Sequence, residues 1–376
     1  MFDKIDEAER FIKKEEVQFI DLKFVDLFGG LHHITIPARR FDKEFCNSGV
    51  GFDSSSVPGF KSVESGDMIL LPDLETGFLD PFYKEKTLSF LCNIHEANEL
   101  EPYHRDSRNI ARKAERFLKS TDIATHSKWG PELEYYIFDE VSYSTDPLLS
   151  YYQIKAEQTS EGVSNGLKTG YKLDGKSGYH ACQPHDTLSD IRNETVKIME
   201  ECKIPVKYHH HEVGIHGQVE IEVKFGNPLK MGDAVILGKY IAKMVAKKHG
   251  KTATFMPKPI FDQAGTGMHF HQHLFKDDEP IFYDEDGYGG LSELALSYTA
   301  GLLKFASEIT AFTNPSTNSF KRLVPGYEAP VSLFFGMANR SSAVRIPKYA
   351  NQPAQKRIEY RPPDDSCNPY LAMAVM

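Results

Sequence analysis

Three stretches far apart in the chain set ionisable residues into apolar runs with a period of two: Pro131-Glu132-Leu133-Glu134, Gln218-Val219-Glu220-Ile221-Glu222 and Met268-His269-Phe270-His271-Gln272-His273. In a strand, residues i and i+2 share a face, so each stretch aims its carboxylates or imidazoles at one side of a sheet. Taken singly, a pair of strand glutamates reads as a solvated face, because exposure is the default for Glu. Three same-face histidines fit a zinc or iron site, a packed core set or an exposed row. The segments do not stand singly, since His209-His210-His211-Glu212 runs into the second of them, with Glu212 one short loop upstream of Glu220. Five glutamates bring hard oxygen donors in among these histidines, which favours Mg²⁺ or Mn²⁺ over a thiolate or all-imidazole metal. Two divalent ions beside a phosphate fit such a set.

The surrounding patterns predict an α+β protein without a βαβ rhythm. Residues 3–14 carry Ile5, Phe11 and Ile12 at helical spacing, and VQFIDLKFVDLFG after them reads as a strand with alternating faces. The Gly- and Ser-dense run from Gly49 to Gly66 reads as a loop centred on Asp53-Ser54-Ser55-Ser56, and strand-like patterning resumes to about His95. A boundary falls near Pro102, giving domains 1–103 and 104–376, with a helix beginning about Ser107 that carries its own apolar face. LSDIRNETVKIMEEC and DAVILGKYIAKMVAKKHG read as helices; WGPELEYYIFD, EVGIHGQVEIEVKFG and AGTGMHFHQHLF read as strands. Asn368-Pro369-Tyr370 has the form of an N-cap with proline at the first helical position, yet only LAMAVM follows. That ending reads as a catalytic domain cut short.

Charge and composition bear on partners. The 376 residues hold 44 Lys and Arg against 53 Asp and Glu, a formal charge of -9, which demotes nucleic acid as a partner. No apolar stretch approaches the ~18 residues of a membrane span, and the charged, amphipathic N-terminus lacks the form of a secretory signal. The five cysteines are scattered without a C-x-x-C pair, against both a disulfide framework and structural zinc. A cytoplasmic protein with neither nucleic acid nor membrane as partner is expected. Toward the C-terminus, Arg322, Arg345, Arg357 and Arg361 each lie beside an apolar or Pro position and Arg340 lies between Asn339 and Ser341, none of them in a long charged run. Guanidinium forks bind carboxylate and phosphate at two points, which suits an anionic substrate and a nucleotide. Neither a P-loop nor a dinucleotide-binding glycine turn is present, so a nucleotide is held by another device.

The ordered segments Phe52-Asp53-Ser54-Ser55-Ser56, Gly130-Pro131-Glu132-Leu133-Glu134, His210-His211-Glu212-Val213, Gly217-Gln218-Val219-Glu220, Gly265-Thr266-Gly267-Met268-His269, the long run from Asn314 to Pro330, Asn339-Arg340-Ser341 and Arg357-Ile358-Glu359-Tyr360-Arg361 resemble the glutamine synthetase family, from about residue 15 to the end. The resemblance implies a small β-grasp domain, then a catalytic domain with a curved antiparallel sheet, in a dodecamer of two hexameric rings with active sites shared between subunits. It implies a ligase of glutamine biosynthesis and nitrogen assimilation that joins ammonium to L-glutamate through γ-glutamyl phosphate, with ATP as co-substrate and two or three Mg²⁺ or Mn²⁺ ions. The alternatives are a γ-glutamyl ligase for an organic amine and a non-catalytic family member.

Carried over by position, the resemblance places one metal on Glu134, Glu212 and Glu220 and the second on Glu132, His269 and Glu359. Glutamate contacts fall on Glu134, Gly265, Arg322 and Arg361, and phosphate or nucleotide contacts on Arg340, Arg345, Arg357 and His273. The ammonium site falls on Asp53 of an adjacent subunit, Tyr179 and Glu212, and the closing flap carries Glu328. Four positions depart from the usual pattern: Ala264 stands for an asparagine, Ser54 for a glycine, His273 for a serine and Pro362 for a phenylalanine.

Overall fold

The computed structural model describes residues 2–159 and 170–376. They pack as two compact units. The first comprises the chain through Phe117 with Glu201–Lys203 and Asn368–Val375, and the second comprises Leu118–Glu200, Ile204–Cys367 and Met376.

In the first unit the helix Ile5–Lys14 has Asp6 and Glu7 in its first turn and Lys13 and Lys14 in its last, the distribution that suits the helix dipole. It presses Ala8, Phe11 and Ile12 into the core. The sheet runs in the order Leu31–Pro37, Phe19–Val25, Thr87–Glu96, Asp67–Pro72, Val50–Asp53. Its central pair, Phe19–Val25 with Thr87–Glu96, is parallel and the other pairs are antiparallel, which is the β-grasp arrangement. The alternation expected of Phe19–Val25 is overridden, because this central strand is covered on both faces and is buried from Ile20 to Val25. The Gly49–Gly66 loop is also shorter than expected. Its first residues form the strand Val50–Asp53, and only then does the chain turn through Ser54–Ser56.

Burying that central strand takes Asp21 and Lys23 with it. Lys23 Nζ lies 2.6 Å from Asp21 Oδ2 and 3.2 Å from Asp80 Oδ2. Asp21 Oδ1 also accepts from Thr35 Oγ1 at 2.7 Å and faces His33 Nδ1 at 2.7 Å. Burial works against both charges, yet Lys23 holds the Asp21 carboxyl below its usual range and the two aspartates raise Lys23. The terminal helix Pro369–Val375 belongs to this unit too. Asn368 Oδ1 caps it by accepting from Tyr370 N at 3.1 Å, and Asn368 Nδ2 donates to Ser107 Oγ at 2.7 Å.

The second unit is built on a larger sheet ordered Val206–His211, Gln218–Val223, His126–Phe138, Phe270–Lys276, Ile358–Tyr360, Ser342–Ile346, Ser332–Met337. It is antiparallel except at the last edge, where Ser332–Met337 runs parallel to Ser342–Ile346. The helix Pro228–Lys248, opened by an Asn227 cap with proline in its first turn, buries Val235, Ile241 and Val245. An exposed ribbon pairs Glu140–Asp146 with Leu149–Lys155. Among the described residues no helix is long and apolar enough to cross a membrane.

Removing the Lys23 charge leaves two buried carboxylates without the cation they share. Lys23→Met should therefore cost about 3 kcal/mol of unfolding free energy in a urea titration. A variant as stable as the parent would show that Asp21 and Asp80 are satisfied without the lysine.

Candidate active site

Strand register assembles the site. Across the pair Gln218–Val223 and His126–Phe138, Glu220 sits opposite Glu134 and Glu222 opposite Glu132. On the outer side His210 pairs with Glu220, and on the inner side His271 pairs with Glu359, which in turn pairs with Arg345. Residues scattered from 132 to 361 thereby line one cavity of about 620 Å³. It brings together Glu132, Glu134, Tyr179, Glu212, Glu220, Gly265, His269, Arg322, Glu328, Arg340, Arg345, Glu359 and Arg361.

Like charges placed directly opposite across a strand pair repel, and burial sharpens the repulsion. Burial and then Glu132 and Glu134 push the Glu220 carboxyl well above the usual carboxylate range. Burial and the Glu220 charge push Glu212 up to about 8. Burial likewise raises Glu134, although His269 opposes it and Gly267 N donates to Glu134 Oε2 at 2.8 Å. The other end of the cavity is different. Burial pushes Glu359 up, but Arg361, His271 and Arg345 outweigh it and hold the group down to about 2. His271 and His269 likewise hold Glu132 well below its usual range against burial. His269 Nδ1 lies 2.7 Å from Glu132 Oε2 and 3.6 Å from Glu359 Oε1, and His271 Nε2 lies 2.8 Å from Glu132 Oε1.

The donor set fits divalent cations. Among the described residues, Glu134, Glu212 and Glu220 offer oxygens within 4.8 Å of one another, as do the donor atoms of Glu132, His271 and Glu359 and the oxygens of Glu132, Glu220 and Glu222. The first trio is the most under-compensated, and a cation there would relieve the repulsion that raises Glu212 and Glu220. Glu222 is already engaged by Lys207 and Tyr208. Glu359 is clamped by Arg345 and Arg361, so a cation taking it would share it with both guanidinium groups.

The remaining expected residues fall into separate places. Arg357 donates from Nε to His271 Nδ1 at 3.3 Å and lies over the rings of Phe225 and Tyr349. His273 is buried edge-on against Phe225 and Phe275, and burial with Lys128 and Arg357 pushes it down to about 3, so it is neutral near pH 7. Asp53 lies in the first unit on an exposed turn, where Ser55 N and Ser55 Oγ donate to Oδ1 at 2.9 and 2.6 Å. Glu328 is exposed and holds a left-handed backbone, φ 59, pinned by Arg361 Nη2 donating to its carbonyl at 3.1 Å.

Comparison with known proteins shows the family. Residues 16–97 match the family model for the glutamine synthetase beta-Grasp domain, and residues 104–376 match that for the glutamine synthetase catalytic domain. The chain belongs to the glutamine synthetase family. Glutamine synthetases of Frankia alni and Aquifex aeolicus are 47% and 45% identical to it, covering 100% and 99% of this chain and 80% and 79% of their own lengths. The cryo-EM structure of Plasmodium falciparum glutamine synthetase superposes with a TM-score of 0.92 at 31% identity, over all of this chain and 74% of that one. A GmaS–ADP complex superposes with a TM-score of 0.77 at 26% identity, over 97% of this chain and 78% of that one. The chain is accordingly an enzyme of glutamine biosynthesis, a ligase.

Ala264, Pro362 and Ser54 make their contacts through main-chain or hydroxyl groups. The Ala264 carbonyl accepts from Tyr136 Oη at 2.7 Å. The Pro362 carbonyl accepts from Arg322 Nη1 at 2.8 Å and from Asn314 Nδ2 at 2.7 Å. Ser54 Oγ donates to the Gly66 carbonyl at 2.8 Å, closing the loop beside Asp53. Sequence reasoning passed over Gln218, although it stands in the Gly217-Gln218-Val219-Glu220 motif. Its Oε1 accepts from Gly214 N at 2.9 Å, and its Nε2 donates to the Gly265 carbonyl at 2.9 Å and lies 3.4 Å from Glu134 Oε2. His271 was also given no role of its own, although its place on the shared histidine face was the available signal.

A cation that relieves this repulsion binds the folded chain far better than the unfolded one. At about 100 times its dissociation constant, Mn²⁺ should stabilise the protein by about 2.7 kcal/mol. Thermal melts with Mn²⁺ and with chelator measure this, and Glu220→Gln should lose most of the rise. A melting temperature indifferent to millimolar Mn²⁺ and Mg²⁺ would count against a cation site.

Proposed function

We propose that this chain ligates ammonia to the γ-carboxylate of L-glutamate at the expense of ATP, giving glutamine, ADP and phosphate through γ-glutamyl phosphate. The observation that carries the reading is the register that brings Glu134, Glu220 and Glu359 into one cavity with Arg340, Arg345 and Arg361. One cation would be held by Glu134, Glu212 and Glu220 and another by Glu132, His269 and Glu359; Mg²⁺ or Mn²⁺ there supplies charge neutralisation for phosphoryl transfer.

The γ-carboxylate oxygen of glutamate attacks the γ-phosphorus of ATP, ADP leaves, and an acyl phosphate replaces an unreactive carboxylate. Arg340 and Arg345 offset the negative charge on the transferred group, and Arg357 with His273 holds the nucleotide. Arg361 and the Gly265 segment orient glutamate. Arg322 donates to the carbonyls of Pro362, Pro363 and Arg361, so it also fixes the backbone that carries Arg361. Ammonium lodges beside Tyr179 and Glu212 and gives a proton to Asp53 of a neighbouring subunit. The resulting ammonia attacks the acyl carbon, phosphate departs with its electron pair, and the nitrogen gives its second proton to the departing phosphate. Glu328 closes over the intermediate and keeps water from it. This sharing suits a dodecamer of two hexameric rings with its functional boundary near residue 103, and the free cysteines suit the cytoplasm.

Glutamine and phosphate should form together from glutamate, ATP and ammonium. Replacing ammonium by methylamine or ethylamine should cut turnover at least tenfold. An amine used better than ammonium would move the substrate to the amine-ligase alternative, and no ATP cleavage with either would leave a non-catalytic protein. Glu328→Ala should release more phosphate per glutamine formed than the parent does, because water then reaches the acyl phosphate. An unchanged ratio removes Glu328 from that role.

A further inference from the structure

Glu212 differs from the other proposed metal carboxylates in its support. Glu132, Glu134, Glu220 and Glu359 stand within strands, whereas Glu212 follows the last residue of Val206–His211, at the start of the loop that leads to Gln218. A ligand at a strand end must be oriented by its neighbours if its oxygens are to meet those of Glu134 and Glu220.

The neighbour that does this is His211. Its ring is fully buried, and Nδ1 lies 2.6 Å from the carbonyl oxygen of Glu212. A carbonyl can only accept, so Nδ1 carries the proton and the ring pins the Glu212 peptide. The opposite ring nitrogen, Nε2, lies 3.0 Å from the side-chain amide of Gln158, which is itself buried. With the amide oxygen toward the ring, the Gln158 Nε2 group is buried with no partner among the described residues. Turning the amide places its N–H on the ring's lone pair and leaves the proton on Nδ1. Two further contacts close around Glu212, one on the carbonyl before it and one on its own. His180 N donates to the His211 carbonyl at 3.0 Å, and a Cβ added to Gly178 would stand 2.6 Å from the Glu212 carbonyl.

We propose that Gln158 is a positioning residue for Glu212: by holding His211 with its Nδ1 proton on the Glu212 carbonyl, it sets the carboxylate that completes the Glu134–Glu212–Glu220 cation site. The inference rests on the reading of those three glutamates as cation ligands. Without the Gln158 contact the ring is free to move its proton to Nε2 or to rotate, and the Glu212 peptide loses its tether. The Glu132–His269–Glu359 site has no part in this chain of contacts.

The test is Mn²⁺ titration of the full-length chain, with free Mn²⁺ followed by electron paramagnetic resonance and no substrate present. The parent, Gln158→Leu, Gln158→Glu and Glu212→Gln are compared. Gln158→Leu should weaken one class of Mn²⁺ site by about tenfold or more and leave the other unchanged, the range expected when a partner of a metal ligand is lost. Gln158→Glu should weaken the same class, since a carboxylate facing the ring draws its proton to Nε2 and off the Glu212 carbonyl. Glu212→Gln should lose the same class. If Gln158→Leu does not fold, Gln158→Ser, which is polar but too short to reach the ring, takes its place. A Gln158→Leu protein that titrates like the parent while Glu212→Gln loses a class overturns the inference and leaves the cation reading intact. Equal weakening of both classes with a lowered melting temperature also overturns it, because that marks a general packing role. A Glu212→Gln protein that titrates like the parent fails the cation reading itself, and the inference falls with it.

Discussion

The site depends on an interaction that opposes folding. Glu220 faces Glu134 and Glu222 faces Glu132 across one pair of buried strands, with Glu212 brought to the edge of the same group. In a low-dielectric cavity such pairs are tolerated only if protons, guanidinium groups or metal ions supply the missing positive charge. The chain supplies it unevenly. Arg345 and Arg361 are committed to Glu359, whereas burial and mutual repulsion push Glu212 and Glu220 upward. A divalent cation is a counter-charge that this donor set accepts, and the proposed phosphoryl transfer is chemistry that such a cation would serve.

Holding repelling groups in place calls for rigid surroundings, and here much of the restraint comes from side chains bonded to main-chain groups. Gln218 ties Gly214 to Gly265, Tyr136 holds the Ala264 carbonyl, Arg322 gathers the carbonyls of 361–363, and His211 holds that of Glu212. At Ala264 and Pro362 the group that accepts the bond is the backbone oxygen, which is present whatever the side chain. The same economy appears in the other unit, where Ser54 closes its loop through a hydroxyl bond to the Gly66 carbonyl.

The first unit meets an analogous electrostatic problem with a fixed cation. Its central strand is covered on both faces, so Asp21 cannot reach water, and Lys23 bridges it to Asp80 inside the sheet. A lysine is a permanent partner and suits a scaffold. An exchangeable ion suits a site where charge must be redistributed as substrates arrive and leave.

Much was legible in the sequence because it follows from rules that act over a few residues. The period of two put Glu132 with Glu134 and Glu220 with Glu222 on common faces, Asn368 before Pro369 marked a helix start, and the ordered motifs identified the family. The strand Val206–His211 was missed because a run of histidines resembles neither an alternating nor an apolar strand, and only pairing with Gln218–Val223 makes it one. The burial of Asp21 and Lys23 was likewise hidden, since a strand cannot declare from its own residues that both of its faces will be covered. Tertiary structure alone decided which carboxylate faces which, that Arg345 and Arg361 share Glu359, and that Gln158 reaches His211. These are registers and contacts between segments far apart in the chain. A shift of one residue in any strand pair would turn the same side chains to the opposite face, so their meeting is a property of packing rather than of composition or spacing.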